Sequence, residues 1–134
     1  MRRYLVCAAV AAVLATGAQA RSACPAGLRP VTTAELFFGA EVRGGGEISD
    51  ADWQAFLAAE VTPRFPEGLT TWDADGRWRA PSGVQTHEKS RVLLLVISGH
   101  RNERARLDAL IDAYKTRYHQ LSVGLVEHAD CARF

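Results

Sequence analysis

The stretch Ser90-Arg91-Val92-Leu93-Leu94-Leu95-Val96-Ile97 decides the fold. Its unbroken apolar run is the length of a strand and is rich in β-branched residues. Strand alternation sends Val92, Leu94 and Val96 to one face and Leu93, Leu95 and Ile97 to the other. A strand apolar on both faces is covered on both faces, so this one belongs in the middle of a sheet.

Outward from it, Ser98 or Asn102 caps a helix over roughly 103–119, with Leu107, Leu110, Ile111, Tyr114 and Tyr118 as its inward stripe. Ser122–Glu127 reads as the last strand. Upstream, Leu69–Ala74 is a strand, Asp75-Gly76 a hairpin turn returning through Arg77-Trp78-Arg79, and Pro81-Ser82-Gly83 a further turn. Ser49 starts an earlier helix. Asp52 stands at its third position, and Ile48 and Trp53 are spaced as a hydrophobic staple. Trp53, Phe56, Leu57 and Val61 face the core, and Pro63 ends the helix. Thr33–Glu41 is the first strand, with Leu36 and Phe38 on one side and Glu35, Phe37, Gly39 and Glu41 on the other.

The order is strand, helix, strand, strand, helix, strand. This predicts an α+β fold: a ferredoxin-like βαββαβ two-layer sandwich with a hairpin extension and an antiparallel sheet. Both helices lie on one face, so the doubly apolar strand leaves a second face to be covered. A sheet-to-sheet homodimer is the favoured cover. The 75–88 hairpin and a bound apolar ligand are the alternatives.

The chain has 134 residues, enough for one domain, with 48% apolar and 23% charged residues and a net charge of +1. That balance argues against disorder, a collagen-like repeat and a polybasic nucleic-acid module. Residues 1–20 read as a signal peptide: Arg2-Arg3, an apolar run from Tyr4 to Thr16, then Ala18-Gln19-Ala20. The run is short of a membrane span. Removal takes Arg2, Arg3 and Cys7, leaving 114 residues with 14 basic against 15 acidic side chains, a side-chain charge of −1. Export to the periplasm or beyond is expected, without a stable membrane span and without affinity for nucleic acid. Only two of the basic residues, Lys89 and Lys115, are lysines. This bias hints at a GC-rich bacterial genome. Residues 21–32 read as an extended lead-in, 33–128 as the single domain and 129–134 as a tail. Cys24 and Cys131, one near each mature end, predict a disulfide in an oxidising compartment.

Glu35-Leu36-Phe37-Phe38-Gly39, Ser49-Asp50-Ala51-Asp52-Trp53 and Val61-Thr62-Pro63-Arg64-Phe65-Pro66-Glu67-Gly68-Leu69-Thr70 resemble a bacterial family of small exported proteins, catalogued as a domain of unknown function. Gly76-Arg77-Trp78, Glu88-Lys89-Ser90 and the helix around Ala113-Tyr114-Lys115 continue the resemblance, which spans roughly Thr33 to Val126. It implies export or lipid anchoring and carries no established activity. Arg21 ahead of Cys24 fits a lipidation signal poorly.

The histidines His87, His100, His119 and His128 have no metal-ligand spacing, so neither a metal nor a cofactor is expected. Arg64, stiffened between Pro63 and Pro66, is a candidate to hold an anionic ligand; a salt bridge to Glu60, Glu67 or Glu88 is the plainer role. Glu88 and Ser90 share a strand face with Val92, which makes Glu88 the candidate acid or base. Trp72 and Trp78 flank the Asp75-Gly76 turn as pocket walls or as cross-strand packing. No Gly-x-Ser-x-Gly elbow is present, and Gly44–Gly46 lacks the Lys and Ser/Thr of a phosphate loop. The leading expectation is an exported, non-catalytic ligand-binding or interaction module with a cleft near Arg64, Trp72, Trp78, Glu88 and Ser90. The alternatives are a small dimeric α+β barrel enzyme using Glu88 on an anionic substrate, and a structural envelope protein.

Overall fold

The 90–97 run forms most of strand β3 (Gln85–Ile97), an inner strand of the four-stranded sheet. The computed structural model describes residues 24–42, 44–79, 82–99 and 101–134. The expected signal peptide 1–20, Cys7, Pro81 and His100 lie outside the described residues. Strands β1 (Arg29–Gly39), β2 (Thr70–Arg79), β3 and β4 (Gly124–Ala132) are ordered β2-β3-β1-β4, every pair antiparallel. This is the expected ferredoxin-like arrangement.

In register, Leu36 pairs Leu93 and Phe37 pairs Val92. Pairing sorts the side chains into two faces. Ala34, Leu36, Phe38, Leu93, Leu95 and Ile97 are buried under the helices. Helix α1 (Asp50–Phe56) starts where Ser49 caps it: the Asp52 N–H donates to Ser49 Oγ at 3.1 Å. Ile48 and Trp53 are both buried, as the staple requires. Helix α3 (Glu103–Tyr118) packs Leu107, Leu110, Tyr114 and Tyr118 inward. The core centres on aromatic rings, with Phe38 and Tyr114 4.5 Å apart and Phe56 and Tyr114 5.1 Å apart.

Four boundaries differ from the sequence reading. Pro63 does not end its helix. A π-helical turn over Leu57–Val61, with the Thr62 N–H donating to Leu57 O, leads into the short α2 (Thr62–Arg64). The wider turn relieves the clash between a proline ring and the carbonyl a turn earlier. Asp75-Gly76 is no turn: both residues lie inside β2, where Gly76 pairs Glu88. The continuous ladder from Thr70 to Arg79 outweighs the local turn preference, and Arg79 pairs Gln85 at the end of the hairpin, where Gly83 has φ +85°. The 75–88 arm therefore lengthens the sheet in its own plane. Residues 29–32 of the lead-in and 129–132 of the tail are also strand: Arg29 pairs Ala132 and Pro30 pairs Cys131, so sheet pairing extends beyond 33–128 at both ends. The Cys24–Cys131 disulfide, expected from the sequence, clamps those two ends together.

Candidate functional site

The sheet face turned away from the helices carries Glu35, Phe37 and Gly39 from β1, Glu88, Ser90, Val92, Leu94 and Val96 from β3, and Trp72, Ala74, Gly76 and Trp78 from β2. Val92 is 1% exposed although no helix covers it. Its cross-strand neighbours are Phe37 and Trp72. Trp72 and Trp78 are each 43% exposed, and Val126 of β4 is 42% exposed on the same face.

Three glycines shape one end of this face. A Cβ on Gly39 would stand 2.9 Å from Glu88 Oε1, so the carboxyl lies across the bare backbone of the neighbouring strand. A Cβ on Gly76 would stand 2.5 Å from Trp78 Nε1 and 2.8 Å from Ser90 Oγ, so the indole covers Ser90 over that gap. A Cβ on Gly124 would meet the Phe37 ring at 3.3 Å. Between these features is an open groove of about 550 Å³, floored by Phe37, Gly39 and Gly124. Trp78 and Thr86 line one part of it, residues 119–123 another, and Glu88 and Glu41 supply carboxylates.

Ser90 is 3% exposed, and its Oγ is buried without a hydrogen-bond partner. A buried hydroxyl left without a partner is costly. The Glu88 carboxyl is pushed above its usual range, first by loss of water around it and second by the negative charge of Glu41. Below the floor, Tyr114 Oη donates to Gly39 O at 2.9 Å and ties that strand to α3. Burial raises the Tyr114 hydroxyl far above its ordinary value.

Of the expected site residues, Glu88 and Trp78 line the groove; Ser90 lies outside its lining, with its Oγ and Trp78 Nε1 both close to the gap at Gly76. Trp72 shares the face and lies beside Val92, away from the groove lining. Arg64 does not join them. It ends α2, and its guanidinium donates to Glu60 O at 2.7 Å and to Glu60 Oε2 at 2.6 Å. Of the partners considered for Arg64, Glu60 is therefore engaged, and the guanidinium that borders the groove is Arg79, not Arg64. The three glycines and the 119–123 loop were missed in sequence. The gaps at Gly39 and Gly76 arise from the register between neighbouring strands, which parity along one strand does not set. Arg91 was missed too: on the helix side it pairs with both Asp50 and Asp73, tying α1 to β2. Among the described residues, no group of three or more His, Cys, Asp or Glu side chains is arranged to hold a metal ion. No helix among them is long and apolar enough to cross a membrane.

The model of a family described as "Protein of unknown function (DUF3574)" matches residues 33–134. No curated protein matches in sequence. Among solved structures, a phage SAM lyase in complex with S-methyl-5'-thioadenosine is similar, with a TM-score of 0.61 and 15% identity over 76% of this chain and 87% of that one. The apo state of a phage SAM lyase gives a TM-score of 0.56 at 14% identity, over 77% of this chain and 87% of that one. CutA from Synechococcus elongatus gives 0.51 at 10% identity, over 77% and 80%. At these identities the likeness is one of fold.

Proposed function

The chain belongs to the family described as Protein of unknown function (DUF3574), and from that premise we propose that it is an exported, non-catalytic module that binds a small molecule on its open sheet face. The observation that carries this reading is the buried, unpartnered Ser90 Oγ under the Trp78 indole, beside a partly desolvated Glu88 and a groove of ligand size. A second copy of the chain packs sheet to sheet over Trp72, Val126, Leu94 and Val96 and closes the face. The Cys24–Cys131 bond and the sequence of residues 1–20 support export.

The three tryptophans, Trp53, Trp72 and Trp78, make the test local. In nitrogen-15 NMR titrations, S-methyl-5'-thioadenosine and small aromatic fragments serve as probes. The reading expects hits that move the Trp78 indole and Ser90 amide signals and leave buried Trp53 still. Hits confined to other surfaces, or no hits, overturn it. Sedimentation tests the closing copy: a strict monomer at micromolar concentration removes it.

The raised Glu88 favours one second reading, a small enzyme with Glu88 as general acid or base. A carboxyl held in its protonated form nearer neutrality is suited to proton transfer. Turnover of a bound probe that disappears in Glu88→Gln, while binding persists, would select this reading over the first.

A further inference from the structure

This inference rests on the groove reading above and names the ligand class. We propose that the groove takes a small flat molecule bearing a protonated amine, with the ammonium against Glu88 and the flat body beside Trp78.

Glu88 and Glu41 line the same groove, where loss of water first and the Glu41 charge second hold the Glu88 carboxyl above its usual range. Among the described residues, neither carboxylate has an ion-pair partner: the ion pairs of Lys89, Arg91 and Arg104 go to Glu47, to Asp50 and Asp73, and to Glu127. Arg79 and His119 also border the groove. Arg79 Nη1 is drawn to the hairpin end, where it donates to Gly83 O at 3.3 Å. Tyr114 faces Gly39 from the helix side and is engaged with its carbonyl. An ammonium between Glu88 and Glu41 supplies the missing positive charge, whereas a carboxylate ligand meets two like charges.

The floor positions Gly39 and Gly124 have no side chains of their own; the Glu88 carboxyl lies over Gly39 and the Phe37 ring lies against Gly124, so a planar group resting on that ring stands beside the carboxyl. Trp78, 43% exposed, and Leu121, 70% exposed, offer apolar surface at the sides. An indole face attracts a cation, which adds to the carboxylate's pull. Swinging the indole away from Gly76 uncovers Ser90 Oγ, a second acceptor for an ammonium proton.

Three probes with similar bodies and different charge test this on the mature, disulfide-bonded chain: phenethylamine, 3-phenylpropionate and 3-phenylpropanol. Each is titrated at neutral pH with the Trp78 indole signal as readout, against wild type, Glu88→Gln and Glu41→Gln. The amine should bind about tenfold more tightly than the acid, as one charge-assisted hydrogen bond implies. Glu88→Gln should erase that preference and Glu41→Gln should reduce it. If the alcohol or the acid moves Trp78 as tightly as the amine does, the ligand class is wrong and the groove reading stands. If none of the three moves Trp78, both fail. A preference for the amine that survives in Glu88→Gln also overturns the assignment.

Discussion

The carboxyl of Glu88 lies across the backbone of Gly39, so near that a β-carbon at residue 39 would stand 2.9 Å from Oε1 and 3.1 Å from Oε2. Glu88 and Gly39 come from adjacent strands, and the Gly39 carbonyl is held from the opposite side by Tyr114 Oη at 2.9 Å.

Gly39→Ala follows directly. The new methyl displaces the end of a flexible side chain, so the fold should tolerate it within about 1 kcal/mol, the usual scale of a glycine-to-alanine change in a strand. The carboxyl must leave its seat, and the groove floor rises. Urea unfolding should show little change, while probe binding at Trp78 weakens. Unchanged binding would mean that the seat of Glu88 does not matter to the groove.

Glu88→Gln should change how stability depends on pH. The folded carboxyl is raised above 4.5, so the folded chain holds that proton more tightly than the unfolded chain does. Its stabilising contribution is complete below pH 4.5 and is lost as pH climbs through the raised folded value. Relative to wild type, Glu88→Gln should therefore gain stability between acid and neutral pH. Urea unfolding at both pH values checks this; an equal difference at both pH values counts against a raised Glu88.

The strand that opened the reading, Val92–Ile97, was legible because each of its faces is apolar, and its inner place in the sheet follows from that pattern alone. Ser49 was legible because a cap is a local device read over three residues. Asp75-Gly76 was misread because a turn preference is local, whereas the ladder from Thr70 to Arg79 is set by pairing with β3. The arrangement of Glu88, Ser90 and Trp78 was half legible. Parity placed Glu88 and Ser90 on one face, but the gaps at Gly39 and Gly76 depend on register between strands. Arg64 is a candidate anion holder because its stiff surroundings are visible in sequence, but a salt bridge is the plainer role there, and the pairing with Glu60 across one helical turn is that role.

Removing the terminal clamp is a separate prediction. Cys24 and Cys131 close a loop with a sequence separation of 107. In the chain-entropy account a loop of that size contributes up to about 4–5 kcal/mol. Cys24→Ser with Cys131→Ser should lower the thermal midpoint and fray the Arg29–Thr32 and Ala129–Ala132 pairing first, with the aromatic core retained. Hydrogen exchange reads the fraying; uniform loss of protection across the whole sheet would contradict it.

Ser49→Ala tests the helix start. It removes the Asp52 N–H bond at 3.1 Å and the hydroxyl contact with Asp52 Oδ2 at 2.7 Å. The loss should be about 1 kcal/mol, typical of an N-cap. Ser49→Asp should restore most of it, since an acceptor and a negative charge both suit that position. Chemical denaturation of the pair decides; a neutral alanine variant would show that Ile48 and Trp53 alone hold the helix start.

Gly76→Ala separates the indole from the serine. The added carbon would stand 2.5 Å from Trp78 Nε1 and 2.8 Å from Ser90 Oγ, too close for either to stay. Trp78 is the half-exposed partner on an edge strand, and Ser90 is fixed in an inner strand, so the ring should yield. Lifting it exposes the serine and removes one wall of the groove. Trp78 fluorescence, read in a Trp53- and Trp72-to-Phe background, should shift to the red and become more open to quenching by iodide. Binding of phenethylamine should weaken in the same variant. A Trp78 signal unchanged by Gly76→Ala would mean that the indole does not rest over residue 76 in solution, and the cover over Ser90 would have to come from elsewhere.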